Sequence, residues 1–102
     1  MIRRWFKRSQ GIIKVHLLIK GRIGPRWMDV DEWLRLPVGT SLSQMFDAAE
    51  QRGIPVRAAI EDSPHLAHTV MVNGERCSIV DNGDQLLTDG DQVYLLAPLA
   101  GG

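Results

Sequence analysis

The last two residues of the sequence, Gly101 and Gly102, follow closely on an apolar run, Val93–Ala97. Paired glycines are a costly way to end an ordered chain, because glycine loses more backbone freedom on folding than any other residue. One reading is a frayed end or a cloning scar. The functional reading is a main chain without Cβ atoms that threads a narrow channel in a partner enzyme and presents the carboxylate of Gly102 there. In that reading Pro98 stiffens the departure from the preceding strand, and Leu99 and Ala100 offer small apolar handles. The other chemically capable residues form no such constellation. Cys77, between Arg76 and Ser78, has the setting of a small packed hydrophobe rather than of a redox or acceptor thiol. His65 and His68, with Glu61 and Asp62 nearby, make no recognised ligand set, so no metal is expected. Neither Ser41 nor Ser43 has a His–Asp arrangement that would make it a nucleophile. No GxxxxGK loop occurs, so the chain is not expected to bind ATP itself.

The glycines need an element to carry them. Residues 92–98 (QVYLLAP) read as a strand with Val93, Leu95 and Ala97 on one face, launched by a tight turn at Thr88–Asp91. Before it, Thr69–Val72 and Glu75–Ile79 read as two strands of a hairpin, because Asn73-Gly74 suits a turn with positive φ at both positions. At the other end of the chain, 12–19 (IIKVHLLI) alternates, with Ile13, Val15, Leu17 and Ile19 on one face. Gly21, Gly24 and Pro25 lead to a second strand over Val30–Pro37, in which Glu32 interrupts the alternation. One clear helix follows. Leu42, Met45, Phe46 and Ala49 form a stripe, Ser41 and Gln44 can make a capping box, and Gly53 with Pro55 ends the helix. Residues 54–67 show no period and read as an irregular connection.

With 102 residues the chain suits a single domain, which buries roughly 60–70% of its unfolded surface. Lys and Arg number 12, Asp and Glu also 12, and the formal net charge is zero. The neutrality is an average, since residues 1–26 hold eight of the basic side chains and none of the acids. A single cysteine excludes an internal disulfide framework and points to a reducing cytoplasm. The run IIKVHLLIK is broken by Lys14 and His16 and followed by no small-residue cleavage site, so no signal peptide is expected and the encoded chain should be the mature one. No stretch approaches the ~18–20 apolar residues that span a bilayer.

A hairpin, a helix, a second hairpin and a last strand make an α+β layer structure of four to five strands with one main helix on one face. The stretch VNGERCSIVDNGDQLLTDGDQVYLLAPLAGG resembles the C-terminal part of the ThiS/MoaD family of sulfur carrier proteins. The likeness lies in the Asn73-Gly74 hairpin, the Leu87–Asp91 turn, the apolar last strand and the diglycine, and extends more weakly back to residue 12. Pro98 before the diglycine resembles the small subunit of molybdopterin synthase more than the thiamine carrier, whereas Leu95-Leu96-Ala97 departs from the aromatic pattern there.

The resemblance implies a ubiquitin-like β-grasp, with the first and last strands side by side at the sheet centre. Residues 12–98 would be the β-grasp domain, 99–102 a flexible tail and 1–11 a basic extension. It also implies that an E1-like adenylating enzyme activates the Gly102 carboxylate with Mg-ATP, that a persulfide supplies sulfur, and that a sulfur-accepting synthase subunit takes it from a C-terminal thiocarboxylate. Leu18, Tyr94 and Leu96, together with the tail residue Leu99, would form the docking patch on the sheet face away from the helix, unless Leu18 and Leu96 lie under a loop. The acids Asp81, Asp84, Asp89 and Asp91, taken as lying near the tail, would steer the carrier to a basic enzyme surface or merely keep it soluble. Two other classes remain. A ubiquitin-like modifier would be conjugated to lysines through Gly102, and a nucleic-acid or membrane adaptor would use residues 3–26, where RRWFKR interleaves cations with Trp5 and Phe6. Overall neutrality argues against nucleic acid for the rest of the chain.

Overall fold

The computed structural model describes residues 11–23 and 25–97. Strands β1 (Ile12–Ile23) and β2 (Arg26–Pro37) form a long antiparallel hairpin that pairs Ile12 with Pro37 and Ile23 with Arg26. Helix α1 (Leu42–Gln51) follows, then α2 (Val56–Asp62), a 3₁₀ turn (Pro64–His68), β3 (Val70–Val72), β4 (Glu75–Cys77), a single helical turn α3 (Ile79–Asn82), and β5 (Gln92–Leu96). The sheet order is β2-β1-β5-β3-β4. β5 runs parallel to β1 and antiparallel to β3, so the first and last strands are neighbours at the centre, as expected.

The alternation in β1 is realised. Ile13, Val15, Leu17 and Ile19 are buried, and facing them across the sheet are Leu34, Leu36, Val93, Leu95, Val70 and Val72. The α1 stripe of Leu42, Met45, Phe46 and Ala49 is fully buried on this face. Each such large side chain stabilises the fold by ~1.5–3 kcal/mol. The capping box forms in both directions: Gln44 N donates to Ser41 Oγ at 3.1 Å, and Ser41 N donates to Gln44 Oε1 at 2.9 Å. Asn73 (φ 53°) and Gly74 (φ 86°) make the expected positive-φ turn between β3 and β4.

Several expectations need correction. β1 runs on to Ile23 and β2 begins at Arg26, because cross-strand pairing continues to the hairpin tip, where Ile23 and Met28 are also buried in the core. The connection 54–67 is not irregular; it contains α2 and the 3₁₀ turn. A seven-residue helix is too short to show a period, and tertiary contacts hold this one. Glu50 Oε2 accepts from Arg57 N at 2.6 Å, while the Arg57 guanidinium donates to Asp47 Oδ1 at 2.8 Å and to Ser43 O at 3.0 Å. The strand expected over Glu75–Ile79 stops at Cys77, and Ile79–Asn82 coils into α3.

Candidate functional site: the outer sheet face and the end of the last strand

Every odd-numbered residue of β1 points into the core, so Lys14, His16, Leu18, Lys20 and Arg22 lie on the sheet face away from the helices. Register places Leu18 beside Tyr94 in β5 and opposite Asp31 in β2, and Tyr94 faces Met71 in β3. Leu18 and Tyr94 are half-buried by their neighbours, whereas Leu96 is 48% exposed and Trp33 is 54% exposed. Leu18, Tyr94 and Leu96 therefore share one outward face. The fourth patch residue, Leu99, lies outside the described residues.

The sequence reading missed the partners that complete this face. The His16 ring stacks on Trp33 with centroids 4.8 Å apart and meets Tyr94 edge-on at 5.5 Å. His16 Nε2 pairs with Asp31 Oδ1 at 2.5 Å, while its Nδ1 is buried without a hydrogen-bond partner among the described residues. Lys20 pairs with Asp29, which holds the lysine above its ordinary pKa. A groove of about 340 Å³ opens at the far end of β5, lined by His65, Thr69, Met71, Arg76 and Leu96. Strand parity marks His16 and Trp33 as outward-facing, but only the β1–β2 register brings the two together.

Both ends of β5 are fixed. At its start, Thr88–Asp91 forms the expected turn, with Asp91 N donating to Thr88 O at 3.1 Å. Asp91 Oδ1 accepts from Asn73 Nδ2 at 2.9 Å and from Thr88 Oγ1 at 3.0 Å, and Asp91 Oδ2 accepts from Thr88 N at 2.8 Å. Burial would raise this carboxyl, but those donors outweigh it and hold Asp91 below its ordinary pKa. At its end, Ala97 N donates to Lys20 O at 2.9 Å. Gly21 (φ +119°) lets the backbones meet there, since a Cβ on it would stand 2.7 Å from Ala97 O.

Among the four acids expected near the tail, Asp91 is buried and Asp89 accepts from Lys14 N at 2.8 Å, both at the start of β5. At about 3.3 Å per residue the strand carries Ala97 roughly 20 Å from them. Asp81 and Asp84 flank Gly83, whose carbonyl accepts from Ser43 N at 2.8 Å on the helix side. Asp89 and Asp91 thus stand at the opposite end of β5 from Ala97. Pro98, Leu99, Ala100, Gly101 and Gly102 lie outside the described residues, as do 1–10 of the basic extension.

Cys77 is buried, its thiol pushed up by burial, and Sγ contacts Gln85 Oε1 at 3.7 Å. A thiol in that setting is a poor nucleophile. His68 Nδ1 pairs with Ser78 Oγ at 3.3 Å, and no group of three metal-ligating side chains exists among the described residues. Ser41 is spent on the α1 cap. Among the described residues no helix is long and apolar enough to cross a membrane.

Solved structures share this architecture. The Haloferax volcanii HVO 2177 protein is similar over 90% of this chain and 89% of its own, at 19% identity and a TM-score of 0.57. Urm1 from Trypanosoma brucei is similar over 89% of this chain and 97% of its own, at 19% identity and a TM-score of 0.55. The fold is a ubiquitin-like β-grasp. No protein-family description matches the chain, and no curated protein matches it.

Proposed function

We propose that this β-grasp chain is a sulfur carrier protein that works through a thiocarboxylate at Gly102. The observation that carries the reading is the Gly101-Gly102 pair five residues beyond the central strand of a ubiquitin-like fold. A strand held on both sides is a rigid post, so the residues that follow it start from a defined point. Beside that point lie Leu96 and the apolar outer face, which suit recognition by a partner.

A carboxylate resists nucleophiles because of its charge and resonance. An E1-like adenylating enzyme would use Mg-ATP to convert the Gly102 carboxylate into an acyl-adenylate, with release of pyrophosphate. A persulfide on a partner then displaces AMP, since sulfur anions are strong nucleophiles near neutral pH. Thiolysis of the resulting acyl disulfide by a second partner thiol leaves the thiocarboxylate on Gly102 and a disulfide on the partner. A sulfur-accepting synthase subunit consumes it, in molybdopterin biosynthesis on the strength of Pro98, with thiamine or another sulfur-transfer pathway as the next reading. In this scheme the chain contributes a reactive end and a docking face and performs no acid–base step.

The test is ATP–pyrophosphate exchange with the adenylating enzyme of the native host, followed by reconstituted sulfur transfer. Exchange should depend on this chain and disappear when Gly101 and Gly102 are deleted. Sulfur transfer that survives the deletion sinks the mechanism. Isopeptide-linked adducts on lysines of other proteins, with no thiocarboxylate, would assign the chain to the modifier class instead.

A further inference from the structure

Resting on the carrier reading, we propose that the outer sheet face docks an acidic surface bearing large apolar anchors on the adenylating partner, while the acidic helix side stays out of the contact. The fold converts the charge asymmetry along the sequence into an asymmetry between faces. Strand parity puts five basic residues on the outer face, Lys14, Lys20, Arg22, Arg35 and Arg76, against two acids, Asp29 and Asp31. Both acids are already taken, Asp29 by Lys20 and Asp31 by His16. Lys14, Arg22, Arg35 and Arg76 make no ion pair among the described residues. None of the other ten acids occupies an outward strand position; Asp89 comes nearest, accepting from Lys14 N at the start of β5, and away from this face the basic residues among those described are Arg26, Arg52 and Arg57.

The arrangement of the face fits one kind of occupant. An apolar centre of Leu18, Tyr94, Met71 and Leu96 with cations around it has the core-and-rim layout of a protein interface. The groove between Met71 and Leu96 can receive an apolar side chain, and Arg76 on its wall can meet a carboxylate beside that anchor. A basic partner surface would confront four cations that make no ion pair among the described residues, whereas an acidic one is steered toward them. The groove also adjoins the end of β5, so a partner seated there lies where the tail departs.

The test compares three variants in ATP–pyrophosphate exchange with the native host's adenylating enzyme. Arg35→Glu with Arg76→Glu reverses charge on the sheet face; Asp81→Lys with Asp84→Lys reverses it on the helix side; Leu96→Ala removes an exposed anchor. All are surface changes, and unfolding midpoints within a few degrees of wild type establish that the variants fold. The sheet-face pair should raise the KM for the carrier about tenfold, leave kcat within about twofold, and flatten the salt dependence of kcat/KM. Leu96→Ala should raise KM as well, and the helix-side pair should leave it unchanged. A sheet-face pair with wild-type KM, or a helix-side pair that raises KM tenfold, overturns the inference alone. A wild-type chain that supports no exchange overturns the carrier reading and this inference with it.

Discussion

Replacing Gly21 with alanine should be among the most damaging single-methyl additions to this protein. Gly21 sits in β1 at φ +119°, a conformation that side chains rarely adopt, and its Cβ position is already occupied by a neighbour. The nearest atoms are Ala97 O at 2.7 Å, Ala97 Cβ at 3.0 Å and Ala97 C at 3.2 Å, two of them backbone. Backbone cannot rotate away as a flexible side chain would, so the end of β5 must shift and strain the bond from Ala97 N to Lys20 O. Placing a side chain at positive φ costs ~1–2 kcal/mol, and forcing an extra methyl into packed structure costs ~1–3 kcal/mol. The sum, about 2–5 kcal/mol, is a large share of the ~5–15 kcal/mol typical of a domain. For a chain of this size it lowers Tm by on the order of 10–25 °C. Gly39→Ala is the control, because Gly39 also has positive φ (+95°) but meets nothing within 4 Å of its added Cβ. Urea and thermal unfolding followed by circular dichroism measure both variants. If Gly21→Ala costs no more than Gly39→Ala, the close approach of β1 and β5 is not as described and the reasoning fails.

Asp91→Ala should cost ~2–3 kcal/mol, because three donors lose a charged acceptor. Its carboxyl lies below its ordinary pKa when folded, so its contribution is complete above the unfolded value and is lost as pH falls through the folded one. Asp91→Asn should therefore flatten the acid limb of the stability–pH curve, and an unchanged limb would contradict the assignment. Ser41→Ala should cost ~1 kcal/mol through the lost cap. Adding Gln44→Ala should then cost less than Gln44→Ala alone costs in wild type, and additive losses would mean that the capping box does not act as a unit. Cys77, buried with its thiol pushed up, should be alkylated far more slowly in the folded protein than in urea. Equal rates by mass spectrometry would place it at the surface.

The elements that were legible in the sequence are those whose side chains repeat over several turns or strand steps. The β1 alternation, the α1 stripe with its Ser41–Gln44 box, and the Asn73-Gly74 turn each follow from local chemistry. Helix α2 was not legible, because Arg57 reaching back to Asp47 and Ser43 holds it, and no local window contains that reach. α3 was masked by the Val-Asp-Asn-Gly pattern, which reads as a strand end and a turn until packing decides. Leu18, Tyr94 and Leu96 followed from parity, while the His16–Trp33 stack and Arg76 needed cross-strand register. Asp91 was misread as a surface charge. A polar residue in a Thr-Asp-Gly-Asp turn looks solvated, and only the structure shows Asn73 arriving from another hairpin to bury and bind it.

The most direct measurement is the intact mass of the protein from its native host, with fragmentation of the C-terminal peptide. Carriage of sulfur at Gly102 adds about 16 Da, the difference between sulfur and oxygen in one carboxyl atom, as expected for a carboxyl made electrophilic and taken by a sulfur nucleophile. The account predicts that this mass localises to Gly102 and disappears on hydrolysis. A Gly102 carboxylate that stays unmodified while the pathway turns over, or an added mass that maps to a methionine, would contradict it.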